Sequence, residues 1–136
     1  MKGLLILLLV IVTFNTQGVL ANVDYPYPED TILNLNHDTK DLYLKGSIRI
    51  SNPGSLVWLV QTWTEDENKS RFADVYPALM RLEPYSSKVL KVYQKSTPDR
   101  KELKWLLISF IPSQDKIGHN QLTIPVFYRL KIIEKH

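Results

Sequence analysis

The chain has 136 residues, 44% of them hydrophobic and 23% charged, which suits one domain with its own packed core. Seventeen basic residues against fourteen acidic ones give a net charge of +3, too small a surplus to specify nucleic-acid binding. There is no cysteine, which excludes thiol catalysis, zinc–thiolate sites and disulfide staples and leaves the fold to burial and strand pairing.

The first segment, MKGLLILLLVIVTFNTQGVLA (residues 1–21), carries Lys2, an apolar run from Leu4 to Val12, and a small-residue exit at Val19-Leu20-Ala21. That order predicts a cleaved secretory signal. The apolar run is shorter than the roughly 20 residues a spanning helix needs, so no stable membrane insertion is expected. The mature domain is then residues 22–136. Residues 22–30, NVDYPYPED, read as an extended arm or edge segment because of their prolines.

Strands are predicted over Thr31–Leu35 and Leu42–Ile50, with a turn at Asn36-His37-Asp38 between them. Asn52-Pro53-Gly54-Ser55 is a second turn, in which proline presets one angle and Gly54 is expected to supply a positive φ. Leu56–Thr64, LVWLVQTWT, has the strongest strand composition in the chain. Glu65-Asp66-Glu67 reads as part of a solvated polar loop, since it lacks the spacing of a calcium loop. Apolar residues surround Pro77 between Phe72 and Leu82, and a turn follows at Glu83–Ser87. Further strands are predicted over Lys88–Tyr93, Leu103–Ile111 and Gln121–Ile133. Short strands at this spacing predict an all-β, immunoglobulin-like β-sandwich of about seven strands. Trp58, Trp63 and Trp105 are expected in its core.

Nothing in the chain predicts an enzyme. His37, His119 and His136 are scattered, with no carboxylate at a metal-ligand spacing. No nucleophile elbow, phosphate loop or dinucleotide fingerprint is present. No catalytic residue, metal or cofactor is therefore expected.

The last strand raises a different possibility. In QLTIPVFYRLK, residues 121–131, side chains alternate with period two. Leu122, Ile124, Val126 and Tyr128 fall on one face and Pro125 on the other. Proline donates no amide and is confined to sheet edges. Two readings fit: the apolar face packs into the domain's own core, or it serves a partner at an open edge.

Four blocks, in order, resemble the PapD-like periplasmic pilus chaperones. They are RISNPGSLVWLVQTWTED (49–66), YPALMRLEP (76–84), TPDRKELKWLLISFIPS (97–113) and LTIPVFYRLK (122–131). Tyr85 stands where that family's R-L-E-P-G segment has glycine. The resemblance implies a periplasmic chaperone that lends its last first-domain strand to an unfinished pilus or fimbrial subunit, for delivery to an outer-membrane usher. It implies Leu122, Ile124, Val126 and Tyr128 as the lent side chains. It further implies Lys131 as an anchor for the subunit's C-terminal carboxylate, beside a first-strand arginine. Ile32 occupies that arginine's place, which leaves Lys40 or Arg129 as stand-ins. Family members continue into a second immunoglobulin-like domain, whereas this sequence ends at Glu134-Lys135-His136. The alternatives are a truncated, non-functional remnant of such a chaperone, or a secreted structural or adhesive module.

Overall fold

The computed structural model describes residues 24–37, 40, 42–113 and 124–135. They form ten strands and no helix: β1 (Tyr27–Pro28), β2 (Ile32–His37), β3 (Tyr43–Ser51), β4 (Trp58–Glu65), β5 (Arg71–Phe72), β6 (Val75–Tyr76), β7 (Leu79–Leu82), β8 (Ser87–Lys95), β9 (Trp105–Pro112) and β10 (Val126–Lys135). The all-β expectation holds, and the seven strands of four residues or more match the number predicted.

The strands follow the order β5-β4-β9-β10-β2-β3-β8-β6, with β1 on β3 and β7 on β4. β2 is the hinge of this curled sheet. Among the described residues it pairs antiparallel with β3 only at Asn36 and His37, and parallel with β10 from Ile32 to Asn36. One half of the sheet is thereby folded over the other. The core is one cluster, fed by Ile48, Ile50, Leu90 and Val92 from β3 and β8 and by Trp58, Val60, Ile108 and Phe110 from β4 and β9. Alternation decides which side chains enter. In β8 the buried residues are Leu90, Val92 and Gln94, and their neighbours are exposed.

β2 reaches His37, so the turn predicted at Asn36-His37-Asp38 gives way to strand at its first two residues. The reason is tertiary, because Asn36 and His37 find ladder partners in Lys45 and Leu44. Gly46 permits the close crossing there: a Cβ on it would lie 2.5 Å from the Asn34 carbonyl oxygen. Gly54 does not supply a positive φ as expected. Its role is close approach, since a Cβ there would stand 2.9 Å from the Asp24 carbonyl oxygen. The turn itself is held by Asn52, which is 2% exposed. Its Nδ2 donates to the Leu56 and Glu83 carbonyls at 2.7 and 3.0 Å, and its Oδ1 accepts from the Gly54 amide at 3.1 Å.

The left-handed residue of the next turn is Tyr85, with φ 54°. Its ring is exposed, so the side chain adds little packing in return. The left-handed region costs a non-glycine residue roughly 1–2 kcal/mol. Glycine loses roughly 0.5–1 kcal/mol more backbone entropy on folding. Tyr85→Gly is therefore expected to stabilise the domain by roughly 0.5 kcal/mol, read as a higher urea midpoint at unchanged slope.

The end of β10 is locked by an ion pair. Arg100 donates from both terminal nitrogens to the two Glu134 carboxylate oxygens, at 2.6 and 2.8 Å. The Glu134 side chain is 8% exposed and that of Arg100 22%. Arg100 also donates to Gln94 Oε1 at 3.2 Å, and Gln94 Nε2 donates to the Lys101 carbonyl. The hydrogen bond to Glu134 holds the Arg100 guanidinium above its ordinary pKa, against the opposing effect of burial. One cluster of side chains thus ties β8, the connection before β9 and the end of β10 together.

Candidate functional site

The closing strand carries alternating environments. Leu130 and Ile132 are buried and Val126 and Tyr128 half-buried on the inner face, while Phe127, Arg129 and Lys131 are exposed on the outer face. Tyr128 meets Phe110 edge-on, at 5.8 Å between ring centroids, and donates its hydroxyl to the Pro26 carbonyl at 3.4 Å. Val126 and Tyr128 share one face, in phase with Leu130 and Ile132.

The strand begins later and ends later than predicted, running Val126–Lys135 in place of Gln121–Ile133. Pro125 explains the start: with no amide hydrogen to donate, it lies outside the ladder, and Ile124 before it is not in a strand. Ile124 is 57% exposed. Leu122 lies outside the described residues. The later end reflects the parallel ladder to β2, which engages Glu134 and Lys135.

The two edges of β10 are used unequally. β9 pairs with it antiparallel from Val126 to Lys131. On the other side β2 pairs only from Lys131 onward, starting at Ile32. Residues 126–130 therefore have a strand on one side only, among the described residues. A strand that is paired on one side presents alternate amides and carbonyls on the other. This half-open stretch, with exposed Ile124 and Phe127 along it, is the candidate site.

Lys131 stands at the inner end of the open stretch. It is exposed, and its backbone lies between Trp105 of β9 and Ile32 of β2. The lysine and the first-strand position implied by the resemblance are thus register neighbours. Arg129 is committed elsewhere: its guanidinium lies 4.2 Å over the Trp105 ring and 3.8 Å from a Glu65 carboxylate oxygen.

The outer face around the site holds two of the tryptophans expected in the core. Trp58 is fully buried, but Trp63 and Trp105 are half-buried on the outside of β4 and β9. Trp63 stacks at a tilt on Phe127, 5.6 Å between centroids, and Arg71 covers it at 4.5 Å. The signal was present in the alternation. Trp58, Val60, Thr62 and Thr64 share the inner face, which forces Trp63 outward. The acidic loop also differs from expectation. Glu67 is exposed, but Glu65 and Asp66 are buried. Glu65 accepts from Trp63 Nε1 at 3.2 Å, and Asp66 Oδ1 accepts the Asn68 and Ser70 amides at 2.9 Å each. Unmet turn amides, not solvent, claim that carboxylate.

Comparison with known proteins bears on this geometry. The family model described as pili and flagellar-assembly chaperone, PapD N-terminal domain, matches residues 28–135. Protein FasE of Escherichia coli is 40% identical over 128 residues, which is 94% of this chain and 96% of that protein. Among solved structures, a Salmonella enterica SafA pilin in complex with the SafB chaperone is similar with a TM-score of 0.64 at 21% identity, over 85% of this chain and 56% of that one. The periplasmic chaperone SfaE is similar with a TM-score of 0.61 at 15% identity, over 82% of this chain and 57% of that one. The E. coli chaperone DraB gives 0.58 at 20% identity, over 82% and 54%. These three likenesses establish a shared immunoglobulin-like fold, and the chain spans little more than half the length of each of these three solved chains.

Proposed function

The chain belongs to the pili and flagellar-assembly chaperones, through their PapD N-terminal domain, and on that premise we propose that it binds pilus subunits in the periplasm by offering β10 as an added strand and passes them to an outer-membrane usher. The observation that carries this reading is the open edge at residues 126–130, with exposed Ile124 just before it and exposed Phe127 within it. Strand addition needs an unpaired edge for main-chain bonds and side chains for pockets in the partner. Ile124 and Val126 serve the pockets, with Leu122 preceding them in the same alternation and Tyr128 closing the row. Each aliphatic side chain contributes ~1.5–3 kcal/mol when fully buried. No catalytic step is part of this function, and it needs no cofactor.

Lys131 supplies the end point. A subunit strand lying along the open stretch meets the start of β2 at Ile32, so it stops beside Lys131. A terminal carboxylate there gains a charge-assisted bond, worth roughly 1.5–3 kcal/mol. Lys131→Ala is expected to weaken subunit binding about tenfold without unfolding the domain, because the side chain is exposed. The check is titration of the purified chaperone with the subunit expressed beside it. Undiminished affinity removes Lys131 from the anchor.

A further inference from the structure

The outer face of β3 and β8 belongs to the half of the sheet that does not carry the open edge. Its outward side chains alternate tyrosine and lysine. The register sets Tyr43 opposite Lys95, Lys45 opposite Tyr93, and Ser47 opposite Lys91. Tyr76 of β6 stands on the far side of Lys91. All of these residues are exposed, Tyr76 to 72%. Lys45 is therefore diagonal to both Lys91 and Lys95, which gathers three ammonium groups on one patch of the face. Lys91 and Lys95 enter none of the ion pairs among the described residues.

A groove runs through the same face. β2 is in register with β3 only up to Lys45, and β1 takes over only at Ile50. Where neither strand lies in register, a groove of about 570 Å³ opens, lined by Ile32, Asn34, Asn36, Lys45, Lys91 and Tyr93, with Asp30 as its acidic member. Its walls are mainly amide, hydroxyl, ammonium and phenol groups, with Ile32 adding an apolar side chain.

We propose that this face is a second docking surface, which adjoins the Lys131 end of β10 but is distinct from its open stretch, and that it takes an acidic, extended segment of a partner protein. The lysines supply charge complementarity, which steers encounter and fixes register. The tyrosines supply contact area and hydrogen bonds of the kind enriched at protein interfaces. A concavity between strands accepts a chain, whereas a bilayer surface is broad and flat.

The test is a titration of the isotope-labelled protein with a decapeptide of alternating glutamate and serine. Saturable amide shifts are expected at Asn34, Asn36, Ser47, Lys91 and Tyr93. Lys91→Glu with Lys95→Glu is expected to weaken binding by roughly tenfold or more. Lys91→Gln with Lys95→Gln falls between the two and guards against misfolding of the reversed pair. Ile124→Asp leaves peptide binding unchanged, which separates this surface from the strand-donating edge. The proposal is overturned if the peptide shifts Lys69 and Lys104 as strongly as Lys91, or if the double variants bind it as the parent does. It is equally overturned if phosphatidylglycerol vesicles or inorganic phosphate reproduce the shifts and the peptide does not compete with them.

Discussion

Ile124→Asp is expected to abolish capture of the pilus subunit while leaving the domain folded. Ile124 is 57% exposed and precedes the first ladder pair of β10, so its side chain supports little of the domain's own core. In a strand-added complex the same side chain enters the subunit's unfinished interior. Aspartate there forfeits ~1.5–3 kcal/mol of apolar burial. It also takes a carboxylate out of water with no cation beside it, at a further cost of several kcal/mol. The apolar term alone corresponds to roughly a 10- to 150-fold loss of affinity, and the stranded carboxylate carries the total past roughly a thousandfold. Co-purification of the subunit from cells, with thermal unfolding of the variant as control, measures both halves of the statement. Ile124→Val removes one methylene and should retain most binding. A folded Ile124→Asp protein that still carries subunit at the parent's yield would end the strand-donation reading.

Arg100→Ala is expected to produce the largest stability loss of any single exposed-to-half-buried substitution in the domain. The guanidinium is the bidentate partner of Glu134, whose side chain is 8% exposed. Removing one member of a buried pair costs about 3–5 kcal/mol, because the remaining charge is left without compensation. The 22% exposure of Arg100 places the loss near the lower end of that range. Domains of this size are stable by only about 5–15 kcal/mol, so even about 3 kcal/mol is a large fraction. Urea unfolding reads the loss directly. The same variant loosens the end of β10 and thereby weakens subunit binding as well. Arg100→Ala with Glu134→Gln together should recover part of the stability, since no charge is then stranded. Equal stability of parent and Arg100→Ala would show that the pair is solvated and does not lock the strand.

The architecture was legible where alternation and turn chemistry agree. The strands β3, β4, β8 and β9 lie within a few residues of their predicted positions, because each carries apolar residues at period two between turn signals. β10 was legible as a strand but not in its limits. Pro125 delays its start, and a parallel ladder to β2, which no local pattern announces, extends its end. That ladder also makes the site. It pairs half of β10 and leaves the other half open, and which half is which depends on where β2 lands. The core position of Trp58 followed from composition, while Trp63 and Trp105 required counting faces along the strand. Arg100 and Glu134 are 34 residues apart and gave no signal, since their pairing exists only once β10 and the connection before β9 are folded together.

The central claim is that residues 126–130 are the edge on which the subunit strand is laid. Amide hydrogen exchange across β10, measured in the free protein and in its complex with a pilus subunit, tests it most directly. Protection should rise among residues 126–130 on binding, with β4 and β8 unchanged. A stable complex in which these amides exchange as fast as in the free protein would contradict it.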